Sequence, residues 1–284
     1  LASSAEAEST QLILKAAQSL GLRAEVLLIE TALAEGFDSD ATETWIWPRL
    51  GTLSREKGLR ACEIWSARGA RLVNHSAAAI ACAGDKIASL RVLQDAGLPL
   101  PRTWFFSPEV RVSEADLSEA SAGRPLLDGT SPKFWIKNAI GSQGLGVSWA
   151  FNEVHAIAQC DLIRVANGRG IVQQHAPGLD IRALVVRGEV LAAMHRSPSG
   201  EDPRANLHRG GIAQAITLTK EESLFATKAA QALKLDFAGV DFIRGPRGAV
   251  ILEVNASAGL TGLARVTDFD LAQRVCERLF FSGS

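Results

Sequence analysis

The stretch 236–263, DFAGVDFIRGPRGAVILEVNASAGLTGL, constrains this chain most. Two apolar runs flank a Gly-Pro-Arg-Gly turn, which is the pattern of an antiparallel hairpin. The first run carries Asp241 and the second carries Glu253 and Asn255. Side chains alternate along a strand, so Glu253 and Asn255 project together. Two carboxylates and an amide oxygen facing one space suit a hard divalent cation. Asp241 joins them in only one register. A four-residue loop over 245–248 pairs it with Leu252 and turns it to the wrong face, whereas a five-residue loop or one bulge pairs it with Glu253. An odd loop or a bulge is therefore predicted. The alternative, acids on the wet face of a surface hairpin, sits poorly with the apolar run AVIL directly ahead of Glu253.

At 284 residues the chain has room for one large domain or two to three small ones. A net charge of −1 gives no electrostatic reason to expect nucleic acid or an acidic membrane as partner. No apolar run approaches the roughly 20 residues of a membrane span. Cys62, Cys82, Cys160 and Cys276 lie far apart without metal-type spacing and read as reduced thiols of a cytoplasmic protein. The first ten residues lack the basic and apolar regions of a signal peptide. They also lack an initiator Met, so a trimmed chain whose first strand begins before Leu1 is expected.

The first third alternates strand and helix. Ser9 and Thr10 are expected to cap a helix that Gly21 stops. Strands are expected at 24–30, 45–47 and 71–74, with a loop over 31–44, a helix over 56–68 and a link over 75–84. Such alternation implies a parallel α/β sheet. No Gly-x-Gly-x-x-Gly follows any of these strands, which argues against a dinucleotide site. Asp85 is a good N-cap for a helix over 86–96, and Gly97 a good stop. A strand over 102–106 follows, then a short polar helix and a Gly/Pro/Ser-rich loop within 107–132.

The segment 133–150, KFWIKNAIGSQGLGVSWA, reads as strand, glycine loop, strand, with Lys137 ending the first strand. A loop containing Gly141, Ser142, Gln143, Gly144 and Gly146 can approach phosphates closely and offer them backbone N–H groups. It lacks the Gly-Lys-Ser/Thr of a P-loop, and a β-hairpin with a mobile tip is the plainer reading. A helix capped by Asn152 and strands at 171–175, 181–186 and 190–194 follow, with Asp180, Arg182 and Arg196 at strand ends. Residues 197–212 contain no regular pattern and collect Arg204, Asn206, His208 and Arg209 beside two glycines, as functional loops do. Thr219 and Glu222 form a capping box for a helix reaching about 235. Asp268 is expected to cap the last helix.

Taken in order, DKIASLRVLQDAGLPLPRT (85–103), IKNAIGSQGLGV (136–147), VQQHAPGLDIRALVV (172–186), AAMHRSPSGEDPRANLHRGG (192–211) and AGVDFIRGPRGAVILEVNASAGL (238–260) resemble the RimK-type carboxylate–amine ligases of the ATP-grasp superfamily. The resemblance covers about 45–270. It implies an ATP-grasp fold, α/β with an α+β C-terminal part, behind an N-terminal parallel α/β pre-ATP-grasp domain. The implied divisions are 1–84, 85–172 with the glycine loop, and 173–284 with the metal site.

By the same resemblance, Lys137 would hold the nucleotide's α/β-phosphates and Lys86 would add a second contact. The loop of Gly141, Ser142, Gln143, Gly144 and Gly146 would close over the triphosphate. Gln173, Gln174 and His175 would form the hinge beside adenine, with Asp180 near the nucleotide. Gln174 and His175 depart from the acid and aromatic usual there. Asp241, Glu253 and Asn255 would ligate two Mg²⁺, a role Mn²⁺ could share. Arg182, Arg196, Asn206 and Arg209 would contact the transferring phosphate or the acceptor.

The implied activity is ATP-dependent amide formation through an acyl phosphate, with L-glutamate joined to a small-molecule, peptide or protein carboxylate. Near-neutral charge gives a ribosomal partner little support and tips the balance toward small-molecule or cofactor biosynthesis. Homo-oligomerisation is left open. A phosphotransferase on the same fold would release ADP without an amide, and a nucleotide-binding regulatory module would bind without turnover.

Overall fold

The computed structural model describes residues 1–35, 41–121, 132–141, 144–198 and 211–281. In the N-terminal part, helices α1 (Glu8–Ser19), α2 (Ile29–Glu35), α3 (Arg55–Ala67) and α4 (Ala77–Ala83) surround two short parallel strands, β1 (Trp45–Ile46) and β2 (Arg71–Leu72). Single parallel bridges join Ala2 to Leu28 and to Arg49. The parallel α/β character is present, but several local expectations fail. The run 24–30 makes only the Leu28 bridge, and its end turns into α2, within the stretch expected to be loop. The link over 75–84 is largely helix, because Ser76 caps α4 by accepting the Ala79 N–H. Ser9 lies inside α1 and does not cap it. Its hydroxyl instead accepts the Leu260 N–H at 2.9 Å and lies 3.1 Å from Thr261 Oγ1.

Helix α5 (Lys86–Asp95) begins at Asp85, whose carboxylate accepts the Ile87 and Ala88 N–H groups. It leads into a four-stranded antiparallel sheet of β3 (Thr103–Phe106), β6 (Gly170–Gln174), β4 (Phe134–Asn138) and β5 (Val147–Ala150), in that spatial order. Helices α6 (Glu114–Ser121) and α7 (Glu153–Val165) cover one face, where Phe106, Phe134, Ile136, Val172 and Leu117 are buried. Alternation sends Trp135, Lys137 and Gln173 to the other face.

The second sheet has the order β11 (Gly248–Asn255), β10 (Phe237–Gly245), β7 (Leu179–Val186), β8 (Glu189–Ser197), β9 (Ile212–Ala215), all antiparallel. The short strand β9 was not anticipated. On one face Ile181, Ala183, Val185, Val240, Phe242 and Ile251 pack with α5 and α8 (Lys220–Ala232), which the Thr219–Glu222 capping box opens. Elsewhere Leu184, Val186, Met194 and Phe237 pack with α1, α9 (Thr261–Ala264) and α10 (Leu271–Phe280). Asp270, not Asp268, caps α10, accepting the Gln273 N–H. Asp270 directly precedes the helix, so its carboxylate reaches the orphan N–H groups that Asp268, two residues further back, would miss.

One buried side chain joins the two ends of the chain. Asn74 sits at φ 76° just after β2, a conformation asparagine tolerates. Its amide donates to Ala256 O at 3.0 Å and accepts the Phe237 N–H at 2.7 Å. Asn74→Ala leaves both backbone groups buried and unpaired, so a loss on the order of 3 kcal/mol in urea unfolding is expected. A change below about 1 kcal/mol would contradict this bridging role.

Candidate active site

The hairpin expectation is met by a bulge. A tight turn pairs Gly245 with Gly248, and pairing runs evenly back to Phe242–Ile251; Leu252 is then skipped and Asp241 faces Glu253. Directly paired residues share a face. Register places Asp241 opposite Arg182, Gly239 opposite Asn255, and Asp180 opposite Arg196. Asn255, Glu253, Asp241, Arg182, Asp180 and Arg196 thus share one face across four strands. Gly239 keeps that face open, since a Cβ there would lie 2.6 Å from Ala258 Cβ and 3.8 Å from Arg182 Nε.

The charges interlock. Arg182 holds Asp241 with two hydrogen bonds, Nε to Oδ1 at 2.7 Å and Nη2 to Oδ2 at 2.6 Å. Arg196 bonds Asp180 Oδ1 through Nε at 2.9 Å and Nη2 at 2.5 Å, and reaches Asp241 Oδ2 at 3.2 Å. The side chains of Asp241 and Arg196 are only 4% and 6% exposed. Burial opposes the charge on Asp241, but Arg182 and Arg196 outweigh it and hold the carboxyl below its usual range. Burial likewise opposes the charge on Arg196, and Asp241 with Asp180 raises its pKa nonetheless. Asp180 goes the other way: burial raises it, with Asp241 adding to the effect against Arg196.

The four-stranded sheet supplies one facing cation, Lys137, and the start of α5 supplies another, Lys86. Lys137 Nζ donates to Gln173 Oε1 at 2.7 Å. Burial, above all, pulls its pKa down to about 8; Lys86 lowers it further, while Glu253, Asp180 and Asp241 oppose. Lys86 Nζ lies 3.7 Å from Glu253 Oε2 and donates to Gly141 O at 3.0 Å. Gly144 and Gly146 take positive φ, 74° and 67°, in the glycine loop, and a Cβ on Gly146 would lie 2.7 Å from Asn138 Nδ2. Gln173 and Gln174 are buried on β6, and His175 accepts from Trp135 Nε1 at 3.1 Å. Ser142, Gln143, Asn206 and Arg209, with Arg204 and His208, lie outside the described residues.

The donor set fits a hard cation in its chemistry. Glu253 and Asn255 point to one side, the Glu253 side chain is 32% exposed, and Asp241 is its direct neighbour. Among the described residues, no three His, Cys, Asp or Glu side chains form a ready-made cluster. Asp241 is turned to the arginines, which a cation would have to displace.

Three residues escaped the sequence reading. Arg49 donates to Ala258 O at 2.7 Å, Asn74 binds Ala256 O, and Arg55 lines a cavity beside Asn255. Arg49 and Asn74 follow short parallel strands, and the carboxyl ends of such strands are where α/β folds bind ligands. That position was the available signal.

Two antiparallel sheets, with a lysine and a glycine loop on one and an acidic face on the other, and Lys86 reaching both Gly141 and Glu253, are the arrangement of an ATP-grasp fold. Residues 83–279 match the family model for the RimK-like ATP-grasp domain. The chain is 39% identical over 234 residues to "Ribosomal protein bS6--L-glutamate ligase" of Salmonella paratyphi B, covering 81% of this chain and 74% of that protein. Among solved structures, D-cycloserine synthetase superposes with a TM-score of 0.70 at 22% identity, covering 95% of this chain and 92% of that one. A RimK domain ATP-grasp protein from Sphaerobacter thermophilus does so with 0.68 at 17% identity, covering 98% and 97%. This chain belongs to the RimK-like ATP-grasp family and is an ATP-dependent carboxylate–amine ligase. No helix among the described residues is long and apolar enough to cross a membrane, and all four cysteines are unpaired.

The depressed Lys137 pKa carries a sign. The folded value lies below the ordinary 10.5, so folding releases this proton between about pH 8 and 10.5, and Lys137 alone makes stability rise with pH there. A phosphate contact by Lys137, as the family resemblance implies, would need the charged form, so under that assignment ADP affinity should fall as pH rises through about 8. Lys137→Arg should flatten that decline in ADP titrations by calorimetry; an unaltered profile would contradict the assignment.

Proposed function

We propose that the chain joins L-glutamate to the carboxylate of an acceptor, using ATP and forming ADP, with an acyl phosphate between. The single observation that carries this reading is the shared face of Asp180, Arg182, Arg196, Asp241, Glu253 and Asn255, set against Lys86 and Lys137. Glutamate is suggested by the 39% identical relative, which is named for ligating L-glutamate to ribosomal protein bS6. A peptide or protein terminus is the first acceptor to test, and a small-molecule carboxylate the second.

Chemically, an acceptor carboxylate oxygen attacks the γ-phosphorus and ADP leaves. The glutamate amine then attacks the acyl carbon, phosphate departs, and the ammonium proton is lost. Lys137 and Lys86 neutralise phosphate charge, while Gly141, Ser142, Gln143, Gly144 and Gly146 cover it. Gln173, Gln174 and His175 flank adenine, with Asp180 close to the nucleotide. Asp241, Glu253 and Asn255 would hold two Mg²⁺ ions, or Mn²⁺ in their place. Such cations would offset the negative charge that develops in the transfer. Freed from Asp241, Arg182 and Arg196 turn to the transferring phosphoryl group and the tetrahedral oxyanion, joined by Asn206 and Arg209. Covering loops exclude water from the acyl phosphate.

The test is Mg·ATP turnover with L-glutamate across peptide and small-molecule carboxylates, read by mass spectrometry. A glutamyl mass gain on one acceptor with matching ADP is expected. ADP without an amide would favour a kinase and contradict the reading. Glu253→Ala should cut kcat/KM at least about 100-fold, some 2.7 kcal/mol of transition-state stabilisation, without altering the circular dichroism spectrum. Unchanged turnover would refute the metal role.

A further inference from the structure

A further cation borders the site with no carboxylate partner among the described residues. Arg55, at the start of α3, reaches across to the end of α4. Its Nη2 donates to the carbonyls of Ala81 and Ile80, which fixes the guanidinium plane. Gly84 makes the slot, since any side chain there would collide with Nη1 and Cζ. No carboxylate among the described residues lies within 4.0 Å of Arg55. Burial lowers its pKa despite the pull of Asp85 and Cys82, the mark of a cation short of counter-charge.

The guanidinium borders a cavity of about 50 Å³ whose other walls include Thr52, Gly141, Asn255 and Ser257. One water needs on the order of 10–15 Å³ of such space, so this cavity admits three or four heavy atoms. That is the size of a carboxylate tip and too small for a peptide. Its walls join the N-terminal part, the glycine loop and the metal-face strand, so an occupant sits beside the reacting centre. Ser257 is held in place, its hydroxyl donating to Pro48 O at 3.2 Å and accepting the Leu50 N–H at 3.3 Å.

We infer that Arg55 and this cavity bind a carboxylate of the incoming amine substrate, making Arg55 a specificity-determining residue for an acidic or free-carboxylate amino acid. This rests on the ligase reading above. A planar guanidinium pinned on one edge leaves its other donors to form a carboxylate pair. Size favours the amine substrate over the acceptor, because the acceptor's reacting carboxylate needs the Arg182–Arg196 face and the rest of a large acceptor needs open solvent.

The experiment is thermal melting of the full chain with Mg·ADP, with and without L-glutamate as probe, followed by kinetics. In wild type, L-glutamate should raise Tm beyond Mg·ADP alone. Arg55→Leu should keep the Mg·ADP shift and lose the L-glutamate shift, and Arg55→Lys should keep part of it. In turnover, KM for L-glutamate should rise at least about tenfold in Arg55→Leu, with KM for ATP and for the acceptor unchanged.

Gly84→Ala, which fills the slot but retains the arginine, should weaken L-glutamate in the same way. In unaltered protein, L-glutamine or the α-amide of glutamate should lose the shift. An equal L-glutamate shift in Arg55→Leu, retention of the shift by both amides, or a rise confined to the acceptor KM would overturn the inference. A Mg·ADP shift in wild type with no L-glutamate shift would overturn it alone. Absence of the Mg·ADP shift would remove the ligase reading together with it.

Discussion

One skipped residue sets the chemistry of this molecule. Strand side chains alternate with a period of two, so the extra residue at Leu252 decides which face Glu253 occupies relative to Asp241. Without it Asp241 would oppose an apolar leucine, and the acids would lie on opposite sides of the sheet. With it, two carboxylates and Asn255 share a face with the paired Asp180, Arg182 and Arg196 on the neighbouring strands. The opposite face of the same strands carries Val240, Phe242 and Ile251 into the core under α5 and α8. Fold stability and site chemistry thus follow from the same register.

The site is charged but internally neutralised. Asp241 is almost fully buried and is ionised because Arg182 and Arg196 hold it there. Buried ion pairs seldom add net stability, since desolvation offsets attraction. Under the proposed reaction their value would lie in holding the arginines beside the place where phosphoryl charge develops, ready to turn to it once a cation takes Asp241. Across the gap Lys137 is so desolvated that its proton is loosely held, and an arriving phosphate would restore the charge. The N-terminal part completes the arrangement from behind. Ser9, Pro48, Arg49, Leu50 and Asn74 all bond the segment that follows Asn255, fixing where β11 ends.

The sequence was most legible where a short-range rule operates. Period-two alternation and the Gly-Pro-Arg-Gly turn gave the hairpin and the need for a bulge; side-chain capping gave Asp85, Asn152 and the Thr219–Glu222 box. It was least legible where tertiary contacts override local preference. The run 24–30 looks like a strand, yet it has too little paired partner to form one. Ser9 looks like a cap, but a partner some 250 positions away claims its hydroxyl. Arg49, Arg55 and Asn74 carry no motif, and their roles exist only once the N-terminal part docks on the loop after Asn255. Ordered motifs over 85–260 pointed to the family, and the 83–279 family match bears this out.

The central claim is that the charged face passes a phosphoryl group to a carboxylate before the amine arrives. Isotope transfer tests it directly. With an acceptor whose carboxylate carries ¹⁸O, Mg·ATP and L-glutamate, an acyl phosphate requires one labelled oxygen to appear in each inorganic phosphate released. Labelled phosphate formed in step with the amide is the predicted result. Amide formed with wholly unlabelled phosphate would contradict the account.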